Sequence, residues 1–461
     1  MLLKHENGKD QTGKSKSVNK SRAFCICSFG LGCLLAAAQL TAQGTTGAGP
    51  EWRRIVDSGW PHPDGGSFTV DRFRLDAEGD RVAFIHRETS AGGLSTRRGV
   101  WLSDGLTFVL VADTATLVPG GTETFLSFGE IVLLEDGVAF LAGDSAGGAA
   151  LYRWSGGSTS LWLPLDFLGA SPELRVLKAF RSGVALASFS STDPMLIFWV
   201  DGAGTRQIVA REGDSAPGGG TFTDFRALET SVAWVVFEAR TTLGEGLFAW
   251  EPEAGLRAVV DQDTLLPGLG PYEQAERFQG WQSTLSVRDS QVAFVQNQNV
   301  APSFRCRGGV FVWELGRVQK IADNTDLSPT DGESLECFYD VHFGPRELWL
   351  RASTDSIIGG PSIPMRTPGE VLRRDGEDLV RILGPGDEID GAQIFTHQPL
   401  VVGDRAVILI DFYGSPPFPR NEPGIFELTT AGVPSPVPGL RLSGVGLLVL
   451  LVGWAGSRLL R

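Results

Sequence analysis

Methionine is scarce, with three in 461 residues, and histidine and cysteine number five each. The histidines (His5, His62, His86, His342, His397) show no metal-ligand spacing, which speaks against a histidine-built metal centre. Base is in deficit too: Lys and Arg total 40 against 54 Asp and Glu, a net charge of −14. That excludes a general phosphate-binding surface, and with it nucleic acid as a partner. No stretch between residues 51 and 431 sustains a helical period, so a helical bundle is excluded. What abounds is glycine, 59, and proline, 26, the chemistry of short strands and tight turns.

The ends read as separate from the body. Residues 1–42 have the form of an export signal. Lys4, Lys9, Lys14, Lys16, Lys20 and Arg22 precede the uncharged run AFCICSFGLGCLLAAA (Ala23 to Ala38), and small residues offer cleavage after Ala38 or Ala42. Residues 432–461 form a Pro-rich spacer and an apolar tail. Removing +4 from residues 1–42 and +3 from 433–461 leaves −21 on the body, which suits solubility and repels anionic membranes.

Within residues 51–431 a strand pattern recurs: GVWLS (Gly99), ALYRW (Ala150), LIFWV (Leu196), GLFAW (Gly246), GVFVW (Gly309), GEVLR (Gly369) and GIFEL (Gly424). The intervals are 51, 46, 50, 63, 60 and 55 residues. A second apolar strand precedes each copy: RVAFI (Arg81), GVAFLA (Gly137), GVALAS (Gly183), SVAWVVF (Ser231), QVAFV (Gln291), ELWLRA (Glu347) and RAVILI (Arg405). Looser first strands lie upstream, such as FTDFRAL (Phe222) and CFYDVHF (Cys337). Fourth strands lie downstream, such as LRAVVD (Leu256), RVQKIAD (Arg317) and LVRIL (Leu379). Four antiparallel strands per repeat and seven repeats predict an all-β, seven-bladed β-propeller. A break into two domains at the irregular third or sixth unit is the alternative. The seventh unit lacks a fourth strand, and EWRRIVDSG (Glu51 to Gly59) resembles one. Trp52 to Val56 is therefore expected to complete the last blade and tie the ring shut.

Between blades run crossings rich in Gly, Pro and Asp. They are expected to share a face with the loops His86 to Arg98, Gln296 to Gly308, Ser353 to Pro368 and Asp411 to Pro423. Asp57, Asp113, Asp214, Asp261, Asp263, Asp323, Asp326 and Asp387 are candidates there for a ligand or cation, Ca²⁺ included; their other reading is as turn-fixing side chains. No cofactor is evident. Trp60 and Tyr272 lie in crossings, where stacking on a sugar is conceivable. Cys25, Cys27 and Cys33 leave with the signal, and Cys306 and Cys337, expected near one face of adjacent blades, are a disulfide candidate in an oxidising compartment. No G-x-S-x-G elbow, H-E-x-x-H, P-loop, Rossmann fingerprint or sialidase Ser-x-Asp-x-Gly-x-Thr-Trp box occurs, and no catalytic residue is assigned.

At the end of the chain, VPSPVP (Val433 to Pro438) is followed by the uncharged, glycine-bearing run Leu442 to Gly456 and by Arg458 and Arg461. This order resembles the PEP-CTERM sorting signal of Gram-negative bacteria, with Ser435 where that family has Glu and Arg-Leu-Leu-Arg in place of an arginine cluster. The resemblance implies export across a bacterial inner membrane and an exosortase-like sorting partner. It also implies residence at the cell surface, anchored by the tail or released to the extracellular matrix. The expected function is a binding module for an extracellular glycan or protein. A propeller hydrolase using top-face loop carboxylates is the alternative, and a purely structural matrix component a third.

Overall fold

Runs of Val, Ile, Phe and Trp bounded by Gly and Asp fold here into antiparallel four-stranded meanders. The computed structural model describes residues 51–57, 62–63, 68, 70–78, 81–89, 95–165, 173–189, 194–272, 284–300, 305–344, 347–354, 369–376, 378–384, 387–389, 392–402, 405–412 and 423–429. The expected export signal and tail lie outside them. Among the described residues no helix is long and apolar enough to cross a membrane.

Sheet 1 comprises Val70–Glu78, Arg81–Thr89, Ser95–Ser103 and Phe108–Asp113; sheet 2, Phe125–Leu134, Gly137–Asp144, Ala149–Ser155 and Ser158–Pro164. Sheet 3 holds Glu173–Phe180, Gly183–Phe189, Leu196–Val200 and Arg206–Arg211, and sheet 4 Phe222–Thr230, Val235–Thr241, Glu245–Glu251 and Gly255–Val260. Sheet 5 is Leu285–Arg288, Gln291–Val300, Arg305–Glu314 and Arg317–Asp323; sheet 6 is Cys337–Phe343, Leu348–Ser353, Glu370–Asp375 and Asp378–Leu383. Sheet 7 has five strands, in the order Glu388–Ile389, Ala392–Val402, Arg405–Phe412, Pro423–Thr429 and Glu51–Asp57.

Each fourth strand carries a one-residue bulge at the same ladder position: Val111, Trp162, Val209, Val259, Ile321 and Ile382 in sheets 1 to 6. A bulge turns two neighbouring side chains to one side, which is why these strands end on adjacent apolar residues such as Val111-Ala112 and Val259-Val260, all buried. The strand Glu51–Asp57 obeys the same rule. Trp52 pairs with Leu428, Arg53 with Glu427 and Val56 with Ile425, with Ile55 bulged between them. Ile55 and Val56 are buried at 4% and 0% exposure. The amino-terminal strand is thus built as a fourth strand and occupies that place in sheet 7.

Strand alternation sends one set of side chains to each neighbouring sheet. Phe125, Phe128 and Phe140 of sheet 2 pack with Ala83, Ile85 and Val100 of sheet 1. Leu177, Val184 and Phe198 of sheet 3 pack on sheet 2, and Phe222, Phe225 and Phe237 of sheet 4 on sheet 3. Val292 and Phe294 join sheet 5 to sheet 4, and Val341 and Leu350 join sheet 6 to sheet 5. Ile55 and Val56 pack with Val82, Phe84 and Trp101 of sheet 1. Each fully buried Phe or Val contributes roughly 1.5–3 kcal/mol of apolar transfer. Stitches along the edges run the same way, from Arg81 to the Glu135 carbonyl, Arg153 to Gly202, Ser231 to Asp289 and Arg288 to Gly344.

Two expectations are corrected. In unit four the second strand starts at Val235, not in SVAW: Ser231 Oγ accepts the N–H groups of Ala233 and Trp234, making a longer turn. Trp234 is buried there. Its indole donates to Glu251, packs 5.7 Å from Trp313 and lies under the Arg257 guanidinium at 4.3 Å. The stretch Gln296 to Gly308, read as a loop, is largely β-ribbon, because Gln296 to Val300 pair with Gly309 back to Arg305. In His86 to Arg98, likewise, Arg87 pairs with Arg98 and Glu88 with Arg97.

Candidate functional site

Among the described residues, four crossings fold as small hairpins, pairing Leu117 with Thr124, Ser215 with Thr221, Leu265 with Pro271 and Leu327 with Ser334. In DTAT, Asp113 Oδ1 accepts from the Ala115 N–H at 2.9 Å and from Thr116 Oγ1 at 2.7 Å. In DQDT, Asp261 Oδ1 accepts from the Asp263 N–H at 3.2 Å and from Thr264 Oγ1 at 2.8 Å. In DNTD, Asp323 Oδ1 takes the Thr325 N–H and hydroxyl, and Asp326 takes the place of threonine, accepting the Asp323 N–H at 2.7 Å. Asp214 and Asp387 also stand fourth: their N–H groups donate to the carbonyls of Arg211 and Gly384. Asp387 further accepts from the Gly384 N–H and from Arg381. The Asp57 side chain lies outside the described residues.

Each hairpin closes on a buried anchor. The N–H groups of Phe125, Phe222, Tyr272 and Leu335 donate to the carbonyls of Thr116, Asp214, Thr264 and Asp326. Hairpin tips lean on the next crossing: a methyl on Gly218 (φ 90°) would lie 3.4 Å from Asp261 Oδ2, and one on Gly268 (φ 82°) 3.1 Å from Asp323 Oδ2. As expected, the crossings meet the loops between second and third strands, through Ser145 to Thr124, Thr242 to Thr221 and Glu336 to Ser353. The aspartates thus sit in separate turns. Among the described residues no three His, Cys, Asp or Glu stand where they could hold a metal ion.

Asp323 is the informative one for acid behaviour. Burial works against its charge, but hydrogen bonds from Thr325 and the Lys320 ammonium at 2.9 Å hold its pKa below the ordinary 3.8. The folded state therefore favours the carboxylate, giving stability that is present above the unfolded value and lost as pH falls through the folded one. Urea denaturation of Asp323→Asn across this acid range is expected to show a shallower loss of stability than the parent; parallel curves would refute it.

A second constellation gathers on the first strands. Asp76, Val132, Lys178, Glu229, Ser286 and His342 share one ladder position, each opposite the residue after the repeated valine, or after Leu348 in sheet 6. Lys178 Nζ lies 2.7 Å from Glu229 Oε1 on the next sheet. Asp76 Oδ2 accepts the Leu133 N–H at 2.7 Å, and Ser286 Oγ accepts the Phe343 N–H at 2.9 Å, so each reaches to the following sheet. Burial, the largest influence on Lys178, opposes its charge. Glu229, Asp76 and Glu130 together overcome it and raise the pKa. Burial, then Lys178 and Arg351, push His342 down to about 3, so its imidazole is neutral at physiological pH. Arg351 itself is paired with Asp340 at 2.7 Å.

A third group is closed. Arg226 reaches Asp224 at 2.8 Å and Glu245 at 3.2 Å, and Arg240 also holds Glu245. Burial pushes Glu245 up despite both arginines. The Gln296 side chain, on the face of sheet 5 turned to sheet 4, is fully buried with neither amide atom bonded.

Sequence reasoning named none of Asp76, Glu130, Lys178 or Glu229, and named His342 only among the histidines without metal-ligand spacing. Nothing but aligned strand register marks Asp76, Lys178, Glu229 and His342, which are scattered through the chain, and Glu130 lies in the irregularity between Phe128 and Ile131. Tyr272 is not open for stacking: it is 4% exposed and packs on Phe294 at 5.8 Å. Trp60 lies outside the described residues. His86, 2% exposed, stacks on His62 at 5.0 Å. Cys337 is disulfide-bonded, and the Cys306 side chain lies outside the described residues.

The architecture is all-β and propeller-like. No family model matches the chain, and no curated protein does. Solved structures align with it at low identity. A prolyl endopeptidase is 13% identical, with 79% of this chain and 48% of that chain covered at a TM-score of 0.46. This chain thus spans about half the length of that enzyme. The polysaccharide lyase Uly1 is 10% identical, with 78% and 90% covered, at 0.46. The β-propeller domain of the Trilobed protease from Pyrococcus furiosus, described as an open velcro topology, is 9% identical, with 68% and 98% covered, at 0.31.

Proposed function

We propose that this chain is an exported, seven-bladed β-propeller that binds an extracellular glycan or protein partner at the ring of first-strand side chains. Sheets 1 to 7 are its blades, and the amino-terminal strand closes the ring. In support, the same bulge recurs in all seven fourth strands, and Ile55 and Val56 join sheet 7 to sheet 1. The disulfide at Cys337 suits an oxidising compartment outside the cytoplasm, in keeping with the leader in residues 1–42. The tail, residues 432–461, would retain the protein at the membrane or hand it to an exosortase-like partner.

The observation that carries binding is the Lys178–Glu229 pair, 2.7 Å apart across two sheets, with Asp76, Ser286 and His342 at the same ladder position of their own first strands. The Lys178 and Glu229 side chains are 35% and 23% exposed, so this pair is open to solvent. This level of the first strands offers donors, acceptors and a neutral imidazole, the mixture that polar ligands require. A hydrolase fits less well. Burial raises the pKa of Glu245, but this acid is 8% exposed and tied to two arginines. A general acid must reach its substrate.

The full-length protein on a glycan array, with pull-down from extracellular fractions, is expected to show saturable binding that Lys178→Ala weakens at least tenfold. Turnover of a glycoside or phosphoester panel, abolished by one loop-acid substitution, would instead establish the hydrolase.

A further inference from the structure

Three crossings carry an outward leucine at one recurring place. Leu117, Leu265 and Leu327 stand directly after DTAT, DQDT and DNTD, and pair across their hairpins with Thr124, Pro271 and Ser334. The next residues, Leu266 and Ser328, are buried, so in those two hairpins the leucine marks the outer face. Leu265 and Leu327 are 72% and 58% exposed, and Leu243, in the turn between Val235–Thr241 and Glu245–Glu251, is 59% exposed. Close approaches join these elements. A methyl on Gly219 would lie 3.2 Å from Leu243 Cδ1, and one on Gly244 2.8 Å from Gln262 Cβ, so the turn bearing Leu243 touches two successive crossings. The approach of Gly268 to Asp323 carries the surface on to the crossing of Leu327. Leucines exposed singly are ordinary, but an apolar array rimmed by polar groups marks an interaction surface.

The charge around the array has one sign. Residues 212–221, 261–272 and 324–336 hold eight Asp and Glu and no Lys or Arg, and Asp263, Asp331 and Glu333 are exposed. Of the cations on the adjoining strands, Arg240 is held by Glu245 and Lys320 by Asp323, and Arg211 leaves the balance negative.

We infer that this face docks a basic amphipathic polypeptide segment of a partner protein, its apolar side chains seated on Leu243, Leu265 and Leu327 and its cations beside the flanking carboxylates. It is a surface apart from the Lys178–Glu229 pair. Those two residues stand near the ends of Glu173–Phe180 and Phe222–Thr230 that lie away from the crossings. A second copy of this chain would set the same acids against one another, on a body already at −21. An anionic membrane is repelled on the same ground. A glycan finds no exposed aromatic ring in these three segments, since Tyr272 is buried. A segment that is both apolar and basic meets both features: leucine contacts remove apolar area from water, and complementary charge steers and selects the partner.

The experiment is fluorescence anisotropy of the full-length protein with a short labelled peptide alternating Leu and Lys, and with a Ser-Lys peptide of equal length and charge. The Leu-Lys peptide is expected to bind saturably, about tenfold tighter than its Ser-Lys counterpart, and to weaken as salt is raised. Leu265→Ser combined with Leu327→Ser is expected to cost it about tenfold. Leu106→Ser combined with Leu315→Ser is the matched control. These leucines are more exposed still, but lie in turns between third and fourth strands, at the other end of the sheets from the crossings, and their loss is expected to leave affinity unchanged. Melting curves establish that each variant is folded. No saturable binding, equal affinity for the two peptides, indifference to salt, or equal losses from the two double variants each overturn the inference. Self-association in sedimentation, abolished by Leu265→Ser with Leu327→Ser, would assign the face to a second copy and overturn it as well.

Discussion

Replacing Val56 by Asp is expected to lower the stability of the whole protein by about 4 kcal/mol, read as a shift in the urea midpoint. Val56 has no exposed surface and packs with Phe84 and Trp101 of sheet 1 while its backbone pairs with Ile425 of sheet 7. A carboxylate there must either ionise in an apolar layer or take up a proton. Both outcomes weaken the contact that joins first sheet to last. Because the strand belongs to a sheet whose other members come from the far end of the chain, the damage is long-range and cannot be absorbed by local rearrangement. Val56→Ala, which removes only methyl groups, is expected to cost about 2 kcal/mol. A change under about 1 kcal/mol for Val56→Asp would show that this strand does not hold the structure together.

Gly183→Ala is the second large effect, at about 3 kcal/mol. A methyl at this position would lie 2.0 Å from the Val200 carbonyl oxygen and 2.8 Å from Trp199 Nε1. The first of these atoms is backbone in a paired strand, so relief requires moving Leu196–Val200 away from Gly183–Phe189 and stretching their ladder. Gly121→Ala is the matched control. Its nearest neighbour stands at 3.6 Å, and it is expected to change stability by less than about 0.5 kcal/mol. Equal midpoints for the two variants would refute the close-approach argument.

The strand units were legible because a half-buried sheet writes itself as alternation bounded by Gly and Asp. CFYDVHF and RVQKIAD are strands to the residue. The failure at SVAWVVF has a plain cause. Two successive Val-containing triplets fit the same pattern, and the choice between them was made by Trp234, which is held outside the strand by Glu251, Arg257 and Trp313. The recurring aspartates were equally visible, and the side chains of Asp113, Asp261 and Asp323 bond atoms two or three residues away. Local chemistry was therefore enough to find them.

The shared level of Asp76, Lys178, Glu229 and His342 was invisible for the opposite reason. Each lies in an ordinary strand sequence, and nothing in the spacing between them has a period. Composition and alternation by themselves determined an all-β chain of repeated meanders, with a spare strand at its beginning shaped like the one missing at its end. Only the tertiary structure decided which side chains share a level. Register across a sheet is set by which apolar face is buried, and which sheets stand side by side depends on packing between segments far apart in the chain.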